Sequence, residues 1–154
     1  MNQAGDDNLP ALYTGRARHA IDPSNRIMLL SDWREEGAPV QFIIMTHPFE
    51  QCLVAYPPAA FQKMLAELKS RTADKAELQK IERGLNDRIR RVKLDAQGRL
   101  PLPTDLMAKV GLAKQGELVG RFSKLEIWPC DKYEAAQGDL EKLTAAALSK
   151  LEAL

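Results

Sequence analysis

The chain has 154 residues, of which 45% are hydrophobic and 28% are charged, and its formal net charge is +1. This is the composition of an ordinary globular protein, with room for one domain or two small fused ones. No apolar run approaches the ~20 residues of a membrane-spanning helix. Residues 1–8 are polar and acidic, so we expect no signal peptide. Cys52 and Cys130 fit no zinc or redox spacing, which favours a cytoplasmic protein with reduced thiols.

Two blocks of the sequence occur twice in the same order. Residues 21–32 (IDPSNRIMLLSD) return 73 positions later as residues 94–105 (LDAQGRLPLPTD), with matching apolar-Asp, turn, Arg-apolar-x-Leu and Ser/Thr-Asp positions. Residues 53–57 (LVAYP) return 72 positions later as residues 125–129 (LEIWP), and an aromatic residue follows four positions after each proline. Self-similarity of this kind indicates a repeated structural unit.

The repeated blocks divide the chain into an N-terminal extension at 1–12, a first unit at 13–85 and a second unit at 86–154. In each unit we predict a short strand, a tight turn, a second strand, an N-capped short helix and a hairpin. Asn25 and Gly98 stand where the turn requires a positive φ. The predicted strands are 18–21, 26–29, 42–45, 53–56, 91–94, 99–102, 117–120 and 125–128. The predicted caps are Ser31 and Thr104, and the second short helix is expected to end near Gly111.

Outside the shared blocks, the sequence predicts helices with apolar faces. Pro58 suits the first position of one helix, in which Phe61, Met64 and Leu68 recur at helical spacing. A second helix is predicted at 74–85. We interpret these faces, and an apolar stripe near the C-terminus, as core or inter-subunit packing and not as a ligand site. The stripe consists of Leu140, Leu143, Ala147, Leu148 and Leu151.

The small net charge conceals a local excess of cations. Residues 16–34 carry four arginines and two aspartates, and residues 88–99 carry five cations and one aspartate. Like charge at corresponding places in two units suits a surface that faces phosphates. Arg91 and Lys93 alternate with apolar residues along their strand, which predicts one basic and one buried face. Arg18, Arg91 and Lys93 are therefore candidate DNA contacts.

An Asp-x-x-x-Arg element surrounds each predicted turn. Arg26 and Arg99 follow the turn directly, and a guanidinium there could reach a guanine edge with two hydrogen bonds or clamp a phosphate. Asp22 and Asp95 stand four residues earlier, where they could hold the loop through backbone N–H groups or orient the arginine. A pair that only staples the turn is the simpler interpretation for an isolated element. Its duplication on two basic units favours a nucleic-acid site, which includes Gly98.

These motifs resemble those of the MraZ family, a relative of the AbrB-type swapped-hairpin DNA-binding proteins. The resemblance rests on residues 95–103 (DAQGRLPLP), 118–120 (LVG) and 125–128 (LEIW), and more loosely on 13–15 (YTG) and 19–22 (HAID). It implies an α+β fold, mainly β with flanking helices. Two tandem swapped-hairpin, AbrB-like units would form one pseudo-symmetric, double-psi-like barrel domain. It also implies double-stranded DNA contact at the Asp-x-x-x-Arg elements, and ring-shaped homo-oligomers on tandem repeats upstream of division and cell-wall genes, at the nucleoid.

The first unit departs from this pattern at two places. Asn25 replaces the usual glycine, and residues 28–30 lack the proline that Pro103 supplies in the second unit. We therefore expect the first unit to bind DNA less well, or to serve mainly assembly. The alternative from another class is an assembly or antitoxin-like interaction module that does not bind DNA. No catalytic, nucleotide-binding or metal motif is present, so we expect no enzyme, cofactor or metal.

Overall fold

The computed structural model describes residues 12–154, so the predicted extension, apart from Leu12, lies outside the described residues. Within that range the chain is mixed α+β, as predicted, with eight strands and five α-helices. The strands are β1 (Arg16–Ala20), β2 (Arg26–Met28), β3 (Gln41–Thr46), β4 (Leu53–Tyr56), β5 (Ile89–Lys93), β6 (Arg99–Pro101), β7 (Gln115–Gly120) and β8 (Leu125–Trp128). The helices are α1 (Pro58–Arg71), α2 (Lys75–Arg88), α3 (Thr104–Val110), α4 (Cys130–Ala136) and α5 (Leu140–Leu148), with a 3-10 helix at Ser31–Arg34.

The strands form two antiparallel sheets that interleave the two halves of the chain. The larger sheet has the order β1-β7-β8-β4-β3-β5, and β2 pairs with β6 in the smaller one. Strand β1 therefore pairs with a strand of the second half, while β5 pairs with a strand of the first half. Neither half could form this sheet alone. The double-psi barrel stays a prediction, because β1 and β5 are the two outer strands of the larger sheet.

The strand registers relate the two halves by an approximate two-fold axis. Ile27 lies opposite Leu100 in the β2–β6 pair, and these two residues are counterparts in the repeat. Val54 lies opposite Glu126 in the β4–β8 pair, and they are again counterparts. Each of these pairs therefore lies on the axis that exchanges the two halves. The division at residue 85 itself stays a prediction.

One hydrophobic core joins both halves on one side of the larger sheet. Ile27, Leu100, Leu118 and Ile127 are fully buried there. Trp33 is 1% exposed, and its indole N–H donates to the Thr14 carbonyl oxygen at 2.8 Å. Trp128 is 3% exposed and packs in a smaller cluster with Cys52 and Tyr133. Because side chains from every part of the repeat meet in this core, it fixes the positions of the β2–β6 strands and the turns before them.

The turns form as predicted, but the predicted caps do not. Asn25 has a φ of 62° and Gly98 a φ of 84°, the left-handed conformation that asparagine and glycine tolerate best. The caps at Ser31 and Thr104 are wrong, because the preceding Leu30 and Pro103 occupy the N-cap positions and make no side-chain hydrogen bond. The serine and threonine are instead the first helical residues, where a side chain lies past the position from which it caps.

Helices α1 and α2 connect the halves. Pro58 occupies the first position of α1, as predicted, and the Asp74 carboxylate caps α2 by accepting from the Ala76 N–H at 3.0 Å. Helix α2 continues three residues beyond the predicted end and leads directly into β5. The C-terminal stripe forms the exposed face of α5 and of the residues after it. Among residues 12–154, none of the helices is long and apolar enough to cross a membrane.

Candidate nucleic-acid interface

The two Asp-x-x-x-Arg turns have the same hydrogen bonds. The Asp22 Oδ1 atom accepts from the backbone N–H of Ser24 and of Arg26, each at 2.9 Å. In the other turn, the Asp95 Oδ1 atom accepts from the N–H of Gln97 at 3.0 Å and of Arg99 at 2.9 Å. The hydrogen bonds from the arginine N–H groups hold the pKa of both aspartates below the usual value. Both carboxylates are therefore ionised at neutral pH.

The two turns also bind each other. Arg26 donates from Nε to its own Asp22 at 3.2 Å and from Nη1 to Asp95 of the other turn at 3.2 Å. Arg99 does the same in reverse, with Nε 2.7 Å from Asp95 Oδ2 and Nη1 3.5 Å from Asp22 Oδ2. Each guanidinium thus bridges both carboxylates. We call these four side chains the turn cluster.

The turn cluster changes what its arginines can do. The Arg26 and Arg99 side chains are 31% and 28% exposed, and two guanidinium nitrogens of each, Nε and Nη1, donate within the cluster. Arg99 Nη2 also donates to Gln97 Oε1 at 3.2 Å. The stapling role that the sequence left open is therefore present in the structure. Any contact from these arginines to an outside ligand is made by the outer edge of a guanidinium already held in place.

The basic residues of β1 are neutralised by carboxylates. Arg18 donates from Nε to Glu117 at 3.2 Å and from Nη2 to Glu134 at 2.7 Å. Arg16 Nη1 lies 3.1 Å from the other oxygen of Glu117, whose side chain is only 5% exposed, and its guanidinium lies over the Tyr133 ring. The positive charge predicted on this strand is thus largely compensated, and Arg18 is not free to meet an anion without breaking these pairs.

The corresponding place on β5 lacks both carboxylates. Arg91 lies opposite Ile43 in the β3–β5 pair, just as Arg18 lies opposite Glu117 in the β1–β7 pair. Gln62 stands 72 positions before Glu134 and takes its place in the repeat. Arg91 and Lys93 are exposed, and no carboxylate of residues 12–154 lies within 4.0 Å of either cation. The predicted basic face therefore exists on β5 and carries uncompensated charge.

Arg34 adds a cation that the sequence did not single out. Its side chain crosses from the 3-10 helix to the turn of the other half, where a Cβ on Gly98 would overlap the Arg34 Cδ. The Arg34 Nε atom donates to the Leu29 carbonyl oxygen at 3.0 Å. Its residue type contributed to the local positive charge, but no spacing in the sequence brings it to Gly98. Gly98 thus combines the positive φ of the turn with space for the Arg34 side chain, which a Cβ at this position would displace.

The predicted site residues consequently fall into three groups around the β2–β6 strands. The turn cluster and Gly98 lie at the centre, where the two halves meet. Arg91 and Lys93 lead into one turn from β5, and Arg18 leads into the other from β1. On β5, Arg90 pairs with Asp105, but Arg91 and Lys93 have no carboxylate partner within the described residues. The backbone of this surface is therefore approximately two-fold symmetric, but its uncompensated positive charge lies on one side only.

The fold and this site define an α+β protein of two intertwined halves, each with an Asp-x-x-x-Arg turn beside a strand that carries basic residues. The family model described as "MraZ protein, putative antitoxin-like" matches residues 90–151. The chain belongs to the MraZ family. It is 30% identical to the transcriptional regulator MraZ of Thermomicrobium roseum, over 84% of this chain and 89% of the relative. The relatives of the same name from Acidithiobacillus ferrooxidans and Alcanivorax borkumensis are 30% and 26% identical, over 82% and 84% of this chain and 88% and 91% of theirs.

Proposed function

We propose that this protein is a sequence-specific transcriptional regulator that binds double-stranded DNA as a homo-oligomer, in the cytoplasm at the nucleoid. The observation that carries the proposal is the pair of interlocked Asp-x-x-x-Arg turns beside the uncompensated cations Arg91 and Lys93. The names of the relatives, all transcriptional regulators, support it. We further propose that residues 13–85 and 86–154 are its two repeats, and that they form one pseudo-symmetric barrel domain.

The contacts divide into two kinds under this proposal. Arg91 and Lys93 are exposed and unpaired, which suits phosphate contacts that position the protein without reading sequence. Arg99 and, more weakly, Arg26 present the edge of a guanidinium fixed by the turn cluster, which suits recognition of a guanine. Asp22, Asp95 and Gly98 hold these arginines in place and make no direct contact. Arg18 contributes little, because Glu117 and Glu134 already compensate its charge.

Binding to a duplex from upstream of the protein's own operon should weaken steeply with salt. Each phosphate that a cation neutralises adds roughly −0.9 to the slope of log K against log salt concentration. We expect a slope of about −2 or steeper per protomer, measured by fluorescence anisotropy between low and physiological salt. An unrelated duplex of equal length is the control for specificity. A flat dependence, with no preference for the upstream duplex, would favour the alternative, an interaction module that does not bind DNA; the matching family model is described as antitoxin-like.

A single isosteric change can test whether Arg91 contacts phosphate. Gln62→Glu restores on exposed α1 the carboxylate that Glu134 supplies to Arg18, and should neutralise Arg91 within the protein. We expect DNA affinity to fall about three- to tenfold and the salt slope to become shallower by roughly 0.9, as for one lost phosphate contact. Gln62→Ala, which removes the amide without adding charge, should leave both unchanged. If Gln62→Glu and Gln62→Ala change DNA affinity and salt slope equally, Arg91 does not contact the DNA.

A further inference from the structure

A cavity of about 330 Å³ lies in the first half of the chain, between the start of α1 and the outer strand β5. Ile43 of β3 and Phe61 of α1, which are 9% and 7% exposed, form part of its apolar wall together with the half-buried Ile89 of β5. The exposed residues Arg91 and Gln62 line the same cavity and contribute a guanidinium and an amide. Sites for small molecules are typically concave and mainly apolar, with a few polar groups that orient the ligand. The cavity has these features.

The second half shows which groups occupy the equivalent place there. Arg18 donates from Nε to Glu117 at 3.2 Å and from Nη2 to Glu134 at 2.7 Å. The Arg16 guanidinium lies over the Tyr133 ring, 5.1 Å from its centroid. In this half, carboxylates of the chain itself therefore meet the guanidinium, and a planar group of the chain itself covers the aromatic ring.

The first half keeps the guanidinium and the aromatic ring but not the groups that cover them. Four of its residues take the places of residues in the second half: Arg91 for Arg18, Phe61 for Tyr133, Gln62 for Glu134 and Ile89 for Arg16. Ile43 takes the place of Glu117 in the strand register. Both carboxylates are thus replaced by uncharged side chains, and isoleucine is shorter than arginine. A ligand with a carboxylate and an apolar body matches what the second half supplies from its own side chains.

We propose that this cavity binds a small organic carboxylate, with its apolar body against Ile43 and Phe61 and its carboxylate between Arg91 and Gln62. The guanidinium and the amide N–H groups donate, and an ionised carboxylate is the acceptor that forms the strongest bonds with them. Arg91 is also a phosphate contact of the proposed function, on which the next step rests. A carboxylate that holds Arg91 withdraws it from DNA, so the ligand is an effector that weakens DNA binding.

Binding is measured first without DNA, on the full chain, with 3-phenylpropanoate as the probe. Saturation-transfer NMR should give a dissociation constant of about 1 mM, the order expected of a ligand with so few atoms. The neutral 3-phenylpropanamide and sodium acetate should each bind about tenfold more weakly or worse, since the first lacks the charge and the second the apolar body. No saturable binding of the probe, or equal binding of the acid and its amide, would overturn the site.

Variants of the two polar side chains locate the probe. Gln62→Glu places a carboxylate of the protein beside Arg91 and should weaken probe binding about tenfold or more, whereas Gln62→Ala removes only an amide and should weaken it about two- to threefold. Arg91→Met should abolish the preference for the acid over the amide. Arg90→Met removes the same charge from the same strand, where Arg90 pairs with Asp105, and should retain that preference. Circular dichroism checks that every variant is folded. An unchanged preference in folded Arg91→Met places the probe elsewhere and overturns the site.

Competition with DNA is measured separately, by fluorescence anisotropy on the upstream duplex. The probe at about ten times its dissociation constant should weaken wild-type binding about three- to tenfold, as Gln62→Glu does. It should have no further effect on Gln62→Glu, in which Arg91 is already neutralised. Sodium acetate at the same concentration controls for ionic strength. A bound probe that leaves the affinity for the duplex unchanged overturns the competition. If the probe binds with the expected selectivity but the wild type binds no duplex, the ligand site stands and the regulator proposal fails.

Discussion

Arg99→Ala should bind the upstream duplex about 10- to 100-fold more weakly than the wild type, since a well-made bidentate base contact contributes ~1–3 kcal/mol of discrimination. The thermal midpoint should also fall, because Arg99 bridges Asp95 at 2.7 Å and Asp22 at 3.5 Å across the two halves. Its loss leaves two adjacent carboxylates with one guanidinium between them. The measurement is anisotropy at fixed salt, at a temperature at which circular dichroism shows the variant to be folded.

Two matched variants separate base recognition from charge. Arg99→Lys keeps the charge but loses the planar fork, so it should resemble Arg99→Ala if the contact is to a guanine, and the wild type if it is to a phosphate. Arg26→Ala should cost similar stability, because Arg26 makes the equivalent bridges, but less DNA affinity. The cations that precede it on β1 are paired with Glu117 and Glu134, whereas Arg91 and Lys93, which precede Arg99, have no carboxylate partner among residues 12–154. If Arg99→Ala is folded and binds DNA with wild-type affinity, the turn cluster is not part of the DNA site.

Local patterns predict most of the fold because the elements are set by short-range preferences. Alternation located the strands and both hairpins, and the residues at 25 and 98 marked the turns with positive φ. The repeat predicted corresponding elements in each half. It did not predict that β1 would pair with β7 and β5 with β3, since strand partners depend on registers between residues far apart in sequence. The predicted N-caps at Ser31 and Thr104 are wrong by one position. The actual N-caps are Leu30 and Pro103, and their backbone conformation cannot be read from the sequence.

The candidate site was predicted in its residues but not in its charge balance. Sequence spacing places Asp22 beside Arg26, but the bridges to the other turn require the β2–β6 pair. Sequence spacing also makes Arg18 and Arg91 equivalent candidates for DNA contact, since each lies four residues before an aspartate. The neutralisation of Arg18 comes from Glu117, 99 residues away along the chain, and from Glu134 on α4. Which strand is free to bind phosphate is thus a tertiary property, and the DNA contacts themselves stay predictions.

The largest effect is expected from the number of DNA boxes. Each protomer carries two uncompensated cations on β5, Arg91 and Lys93, and its formal net charge is only +1, so a single protomer meets few phosphates. An oligomer that presents several such surfaces binds its second box as an intramolecular event, at high effective concentration. A duplex with tandem boxes should therefore bind 10²- to 10⁴-fold more tightly than one of equal length with a single box.

The gain in affinity from tandem boxes depends on the spacing between the boxes, so a duplex with altered spacing is the control. Moving one box by half a helical turn, about five base pairs, turns it to the opposite side of the DNA and should abolish most of the gain. Leu143→Glu, if it breaks the oligomer, should lose the gain while it keeps its affinity for the single box, because its exposed position lies on α5 and outside the candidate interface. The titration by anisotropy compares single, tandem and displaced boxes for both proteins. Equal affinity of the wild type for all three duplexes would mean that one protomer binds each box independently. The DNA affinity would then come from the uncompensated cations of a single protomer, without the several tethered contacts that an oligomer provides.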